Sequence, residues 1–257
     1  MKKFILLFVL LSGSWVAFGQ KSGKTDAKSQ QQPAQPQQQP AQPQQPAPQP
    51  VSVTSALTEH FYKKYVTAVQ WNDFEVAKSA LYDLIIENPQ NDSLIMSLAY
   101  HYYENQQHVP AVLVSQQLLT RNPKNVTALE IAAIGYEAMG VRDRALQSYE
   151  SLYLLTNNIN MLYKAAFLQH DLKRYNEAIN SIDILLTNKD VDAAKVVFND
   201  VENKPKEYPM KAALFNLKGL AVLDHLGDKQ AAKKLFEQAL ALASDFVPAK
   251  QNLNKLK

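Results

Sequence analysis

Apolar residues between positions 54 and 257 follow a helical rhythm that itself recurs along the chain. Leu98, Ala99, Tyr102, Ala111, Leu118 and Pro123 form one series, and Ala132, Ala133, Tyr136, Ala145, Tyr149 and Leu152 form another; the clearest counterparts lie 34 residues apart. Steps of three, four and seven residues put such side chains on one face of a helix. Small residues stand where two helices must touch, and large apolar ones stand where space must be filled. The pattern predicts pairs of amphipathic helices, each pair covering the apolar face of the next.

Extending the series outward predicts repeats near 58–91, 92–125, 126–158, 159–192 and 213–246. The first carries Phe61, Ala77, Leu81, Leu84 and Pro89, but Lys64 and Tyr65 stand where an apolar residue and a small one are expected, which marks an atypical end unit. The fourth shows Leu162, Ala165, Ala166, Ala178, Ile182 and Leu185; the fifth shows Phe215, Gly219 and Val222, a Gly227–Asp228 turn, then Ala232, Phe236 and Ala239. Tyr163 and its counterpart Asn216 are 53 residues apart, one repeat plus 19 further residues. That excess forms an insertion at 190–209. Its Lys195-Val196-Val197-Phe198 run and its Glu202-Asn203-Lys204-Pro205 turn predict a short hairpin or an ordered loop, with Val197 or Phe198 packed on the fourth or fifth repeat. A capping helix is expected at 247–256, opened by Pro248. Phe246, Ala249, Leu253 and Leu256 should pack there while Lys250, Asn252, Asn254 and Lys255 face water.

These residues resemble the tetratricopeptide repeat, a 34-residue helix-turn-helix unit with Gly, Ala and Tyr or Leu on its first helix and a spaced Ala, Phe or Tyr, Ala series on its second. The resemblance covers about 200 residues and implies an all-α, right-handed α-solenoid of about five repeats, with a short irregular insertion and the capping helix. It also implies that one face of each first helix lines a concave groove. Met96, Tyr100 and Tyr103 share that face at i, i+4 and i+7, and the repeat spacing adds Tyr62, Val66, Val69, Glu130, Ile134, Glu137, Tyr163, Phe167 and His170. Asn216, Leu220 and Leu223 are the counterparts in the fifth repeat. The candidate peptide-binding residues are therefore Tyr62, Val66, Met96, Tyr100, Tyr103, Ile134, Glu137, Tyr163, Phe167 and His170. Relatives that grip a C-terminal carboxylate do so with Lys, Asn and Arg in this groove; Tyr62, Val66, Met96, Tyr100, Glu130 and Ile134 stand in those neighbourhoods here, so no carboxylate clamp is expected.

The first 53 residues have another character. Lys2 and Lys3, an apolar run from Phe4 to Phe18 and the small-x-small triplet Ala17-Phe18-Gly19 predict a secretory signal over 1–19, cleaved before Gln20. The run is broken by Ser12, Gly13 and Ser14 and falls short of the roughly 20 residues of a bilayer span; the chain would meet a membrane only if this segment stayed uncleaved. Residues 20–53 form a Gln/Pro-rich linker. Every residue from Gln30 to Pro50 is Gln, Pro or Ala, so it offers nothing large to bury, and its seven prolines forbid a continuous helix. Export predicts a periplasmic location. No cysteine occurs anywhere, which excludes disulfides and thiol chemistry.

Charge matters only once divided. The 257-residue chain has 27 basic and 24 acidic residues, but residues 1–53 hold five lysines and one acid, leaving 22 basic against 23 acidic. A near-neutral repeat region gives no support to a nucleic-acid surface. The histidines His60, His101, His108, His170 and His225 form no His-x3-His pair, and neither a phosphate loop nor a Gly-x-Ser-x-Gly elbow is present. The sequence thus predicts a non-catalytic scaffold in the cell envelope, without cofactor, metal or small-molecule substrate, that binds a peptide segment or partner protein. A permanent structural or assembly subunit of an envelope complex is the alternative.

Overall fold

The computed structural model describes residues 53–256; the expected signal segment and nearly all of the linker lie outside the described residues. Within them the chain pairs α1 (Val53–Gln70) with α2 (Phe74–Glu87), α3 (Asp92–Glu104) with α4 (His108–Arg121), and α5 (Val126–Ala138) with α6 (Arg142–Thr156). The pairs α7 (Ile159–Asp171) with α8 (Tyr175–Thr187) and α9 (Met210–Leu226) with α10 (Lys229–Leu242) follow, and α11 (Val247–Lys255) ends the stack. Each helix packs on its sequence neighbours, which makes an α-solenoid.

The backbone repeats as faithfully as the side chains. The turn inside each pair holds one residue in the left-handed region: Asn72 (φ 56°), Gln106 (57°), Gly140 (72°), Lys173 (60°) and Gly227 (66°). Their numbers step by 34, 34, 33 and 54, so the last interval carries the insertion. Between pairs, an asparagine opens the next first helix. The Oδ1 atoms of Asn91, Asn125 and Asn158 accept from the backbone N–H groups of Ser93, Ala128 and Asn160 at 3.0, 3.1 and 3.0 Å. Each bond satisfies a donor that the first helical turn leaves free.

Packing explains the small residues. Ala99, Ala133, Ala165 and Ala166 are fully buried and let helices approach, while Leu118, Leu146, Leu152 and Ile182 fill the space between successive pairs. Each of those large side chains contributes roughly 1.5–3 kcal/mol by leaving water. In the first repeat Lys64 replaces an apolar residue; its Nζ lies 3.2 Å from Asp83 Oδ2 and 3.3 Å from Ser79 Oγ, so a polar contact joins α1 to α2 there.

Of the two forms expected from its β-branched run and turn, the insertion takes the hairpin. A 3-10 turn at Lys189–Asp192 leads into strands β1 (Lys195–Asn199) and β2 (Pro205–Pro209), paired antiparallel with Val196 opposite Tyr208 and Phe198 opposite Lys206. The hairpin closes because Asp200 Oδ1 accepts from the N–H groups of Glu202 and Lys204, both at 2.9 Å. Alternation then divides β1: Val196 and Phe198 face the helices, whereas Val197 is exposed. Of the two residues expected to pack, Phe198 does so, with its ring 5.1 Å from that of Phe246 just before α11. Tyr208 is buried on the same ring at 4.9 Å. Asn252, expected in water, instead donates to Asn216 Oδ1 at 2.9 Å and ties α11 to α9.

Candidate functional site

The predicted stripe runs along α1, α3, α5 and α7, and the structure divides it. Tyr62, Tyr100 and Ile134 are exposed; Val66, Met96, Tyr103, Glu137, Tyr163, Phe167 and His170 are half-buried. Met96 and Tyr103 pack against the core around Leu98 and Ile131, so they serve the stack as well as the stripe. Tyr100 and Tyr103 meet edge to face at 6.5 Å, and Tyr163 and Phe167 at 5.0 Å. In the fifth repeat Asn216 is buried, whereas Leu220 and Leu223 on α9 are half-buried like most of the stripe.

A cleft of about 460 Å³ opens where this stripe meets the insertion. Tyr163, Phe167 and Leu168 of α7 form one wall, with Asn160, Lys164 and Asp171 along it and Glu137 reaching in from α5. Val196, Val197 and Phe198 form the opposite wall. Successive residues of a strand point to opposite faces, so a cleft that touches three in a row borders the edge of β1. Of the predicted residues the cleft gathers Glu137, Tyr163 and Phe167; Tyr62, Val66, Met96, Tyr100, Tyr103, Ile134 and His170 lie outside its lining. The stripe pattern missed Asn160, Lys164, Leu168, Asp171 and β1. The β-branched run in the insertion was the signal for the last of these, but nothing in the sequence set it opposite α7.

One charged group is held firmly at the cleft. Glu137 accepts from the Tyr149 hydroxyl at 2.6 Å and from Lys164 Nζ at 2.9 Å, linking α5, α6 and α7. Partial burial works against its charge, but the Tyr149 and Lys164 contacts together outweigh it and hold the carboxyl below the usual glutamate range. Burial, and then the neighbouring carboxylate, pushes the Tyr149 hydroxyl well up. Burial alone raises that of Tyr163, so both hydroxyls stay protonated, and that of Tyr149 donates to Glu137. Arg142 Nε lies 3.6 Å from Asp171 Oδ2, and His170 Nε2 lies 3.1 Å from Asp224 Oδ2, which joins α7 to α9. Among the described residues no group of three His, Cys, Asp or Glu is placed to hold a metal ion. No described helix is long and apolar enough to cross a membrane.

Helix pairs of this period, with small residues at the contacts and a left-handed turn inside each pair, define the tetratricopeptide-repeat fold, and this chain has it. Among solved structures it is similar to YrrB, described as a TPR protein with an unusual peptide-binding site: TM-score 0.58 at 10% identity over 78% of this chain and 97% of that one. It is also similar to MamA, with TM-score 0.54 at 15% identity over 73% of this chain and 92% of that one. No protein-family model and no curated protein matches the chain.

Proposed function

We propose that residues 53–256 form a non-catalytic interaction scaffold that binds a peptide segment of a partner protein along the first-helix face, and that the exported chain works in the periplasm. The observation that carries this reading is the cleft between α7 and β1, where half-buried aromatic rings stand beside hydrogen-bonding and charged groups. A cavity of that size with apolar walls and a few placed polar groups suits side chains of a docked segment. Tyrosine and other aromatic residues are preferred anchors of such contacts. The peptide-binding site described for YrrB gives the reading a structural precedent at the level of fold.

A photo-crosslinking residue placed in turn at Tyr100, at Lys164 and at Asn180, an exposed position on the second helix α8, tests which surface binds. Tyr100 and Lys164 should yield the same partner adduct in the native host, and Asn180 should not. Adducts from Asn180 alone would move the binding surface to the second helices. Cell fractionation with N-terminal sequencing checks the location: a periplasmic chain beginning at Gln20 is expected, and a cytoplasmic chain beginning at Met1 would overturn it.

A second reading, the permanent subunit of an envelope complex, draws on the first repeat. Tyr62, Val69, Trp71 and Phe74 are all exposed at that end of the stack. Such a patch fits a lasting contact. Co-purification at fixed stoichiometry through high salt is the expected outcome for that reading, whereas a transient binder purifies alone.

A further inference from the structure

We propose that the cleft takes its peptide as an extended strand that joins the free edge of β1, and that the segment it selects alternates β-branched or other apolar residues with Lys or Arg. This rests on the groove reading above and specifies the conformation and chemistry of its ligand.

The hairpin register fixes which edge groups are free. Met210 N–H donates to the Ala194 carbonyl and Asp200 N–H to the Lys204 carbonyl, both at 2.9 Å. With Val196 opposite Tyr208 and Phe198 opposite Lys206, the hydrogen-bonded pairs fall on the even-numbered residues of β1. Lys195, Val197 and Asn199 therefore turn their N–H and C=O groups away from β2, and none of those backbone groups has a hydrogen-bond partner among the described residues. The two margins of the hairpin differ. On β2 the outward-facing residues are Pro205, Glu207 and Pro209, and the two prolines have no N–H to offer. Only β1 presents a full alternation of donors and acceptors, and β1 is the strand that borders the cleft.

An extended segment matches that edge, and a helix does not. A helical ligand satisfies its own backbone and leaves the Val197 N–H and C=O unpaired as the cleft closes over them, which is costly in a desolvated site. A strand pairs with them and sends alternate side chains toward Tyr163 and Phe167. Charge selects the rest. On the faces of α3, α5, α7 and α9 that carry the stripe stand Glu104, Glu130, Glu137, Asp171 and Asp224, against Lys164 and the nearby Arg142. Lys164 is already engaged by Glu137, Arg142 faces Asp171, and Lys195 on β1 itself is balanced by Glu207 at 3.2 Å. The excess is acidic, so a ligand whose other residues are basic complements it.

The test uses the full chain and the capped heptapeptide Lys-Val-Lys-Val-Thr-Val-Lys carrying a fluorophore, with binding read by anisotropy. Two N-methylated versions, one blocked at odd amides and one at even, separate strand pairing from side-chain contact, because a strand engages only alternate amides. One version should lose at least tenfold in affinity while the other stays within threefold of the parent. The parent peptide should also slow hydrogen exchange at the Val197 and Asn199 amides at least tenfold. An acidic version with Glu in place of Lys should bind at least tenfold more weakly. Binding that survives both methylation patterns, or that leaves Val197 exchange unchanged, overturns strand addition while the groove reading stands. Loss with both patterns but no slowing at Val197 overturns it equally. Equal affinity for the acidic peptide overturns the charge assignment, and no binding of any probe overturns the stated ligand chemistry. Sedimentation without peptide completes the set: a dimer that Val197→Lys dissolves would assign the edge to a second copy of this chain and overturn the proposal.

Discussion

At the scale of single residues, close approach and backbone conformation decide more than polarity does. Gly219 is the sharpest case. A Cβ there would stand 2.5 Å from one ring atom of Phe236 and 2.8 Å from another, and Phe236 is fully buried with nowhere to retreat. Alanine would gain up to about 1 kcal/mol of helix propensity, but forcing a methyl into a filled core costs about 1–3 kcal/mol. Gly219→Ala should therefore lower stability in denaturant titration, and a rise would show that α9 and α10 can separate. Lys173 poses the opposite problem. It is an exposed lysine held at φ 60°, where glycine serves in the equivalent turns at Gly140 and Gly227. Removing a left-handed penalty of roughly 1–2 kcal/mol outweighs the entropy of a new glycine, about 0.5–1 kcal/mol. Lys173→Gly should raise stability by about 0.5–1 kcal/mol, readable as a higher melting temperature.

At the scale of elements, the link through Glu137 joins three helices with one carboxylate. Its folded-state pKa is depressed, so its contribution is present above the ordinary glutamate value and is lost as pH falls through the lower folded value. Glu137→Gln should melt earlier than the parent protein near pH 7, and the two curves should draw together as pH falls below the ordinary glutamate range. A gap that persists in acid would assign the effect to packing. These elements also show what the sequence could convey. The helix pairs were legible because packing forces a period on Ala99, Ala133 and Ala165, and periodic constraint survives in one chain without any structure. The β-branched run at 195–198 predicted a hairpin or an ordered loop, but the wall it makes against α7 was not legible. That wall depends on how a unique segment folds back over residues some 30 positions earlier, and no repeat encodes the meeting. The same holds for Asn252, whose buried partner Asn216 is 36 residues away. The stripe itself was readable from helical spacing, whereas its split into exposed and half-buried members depends on the neighbouring helices.

For the whole molecule, stability in a stack is close to a sum of neighbour contacts, and the end units have fewer. The first repeat carries a Lys64–Asp83 contact in place of an apolar one and leaves Trp71 and Phe74 exposed. Amides of α1 and α2 should exchange with solvent before those of α5 to α8 under native conditions, as mass spectrometry of peptic fragments would show. Uniform protection across the stack would mean that it opens as one unit. Trp71 would be the sole tryptophan after signal cleavage, but the residue is 77% exposed, so its emission should barely shift on unfolding and is a poor reporter. The prolines at both ends of β2 have a consequence at this scale as well. A ribbon with one open margin and one sealed margin cannot pass a pairing onward: a strand that joins β1 finds no continuation past Pro205 and Pro209. The hairpin is a dead end for sheet growth. Occupancy through the hairpin stops at one guest, and a crowded compartment can hold many copies of this protein without their edges chaining into a fibre.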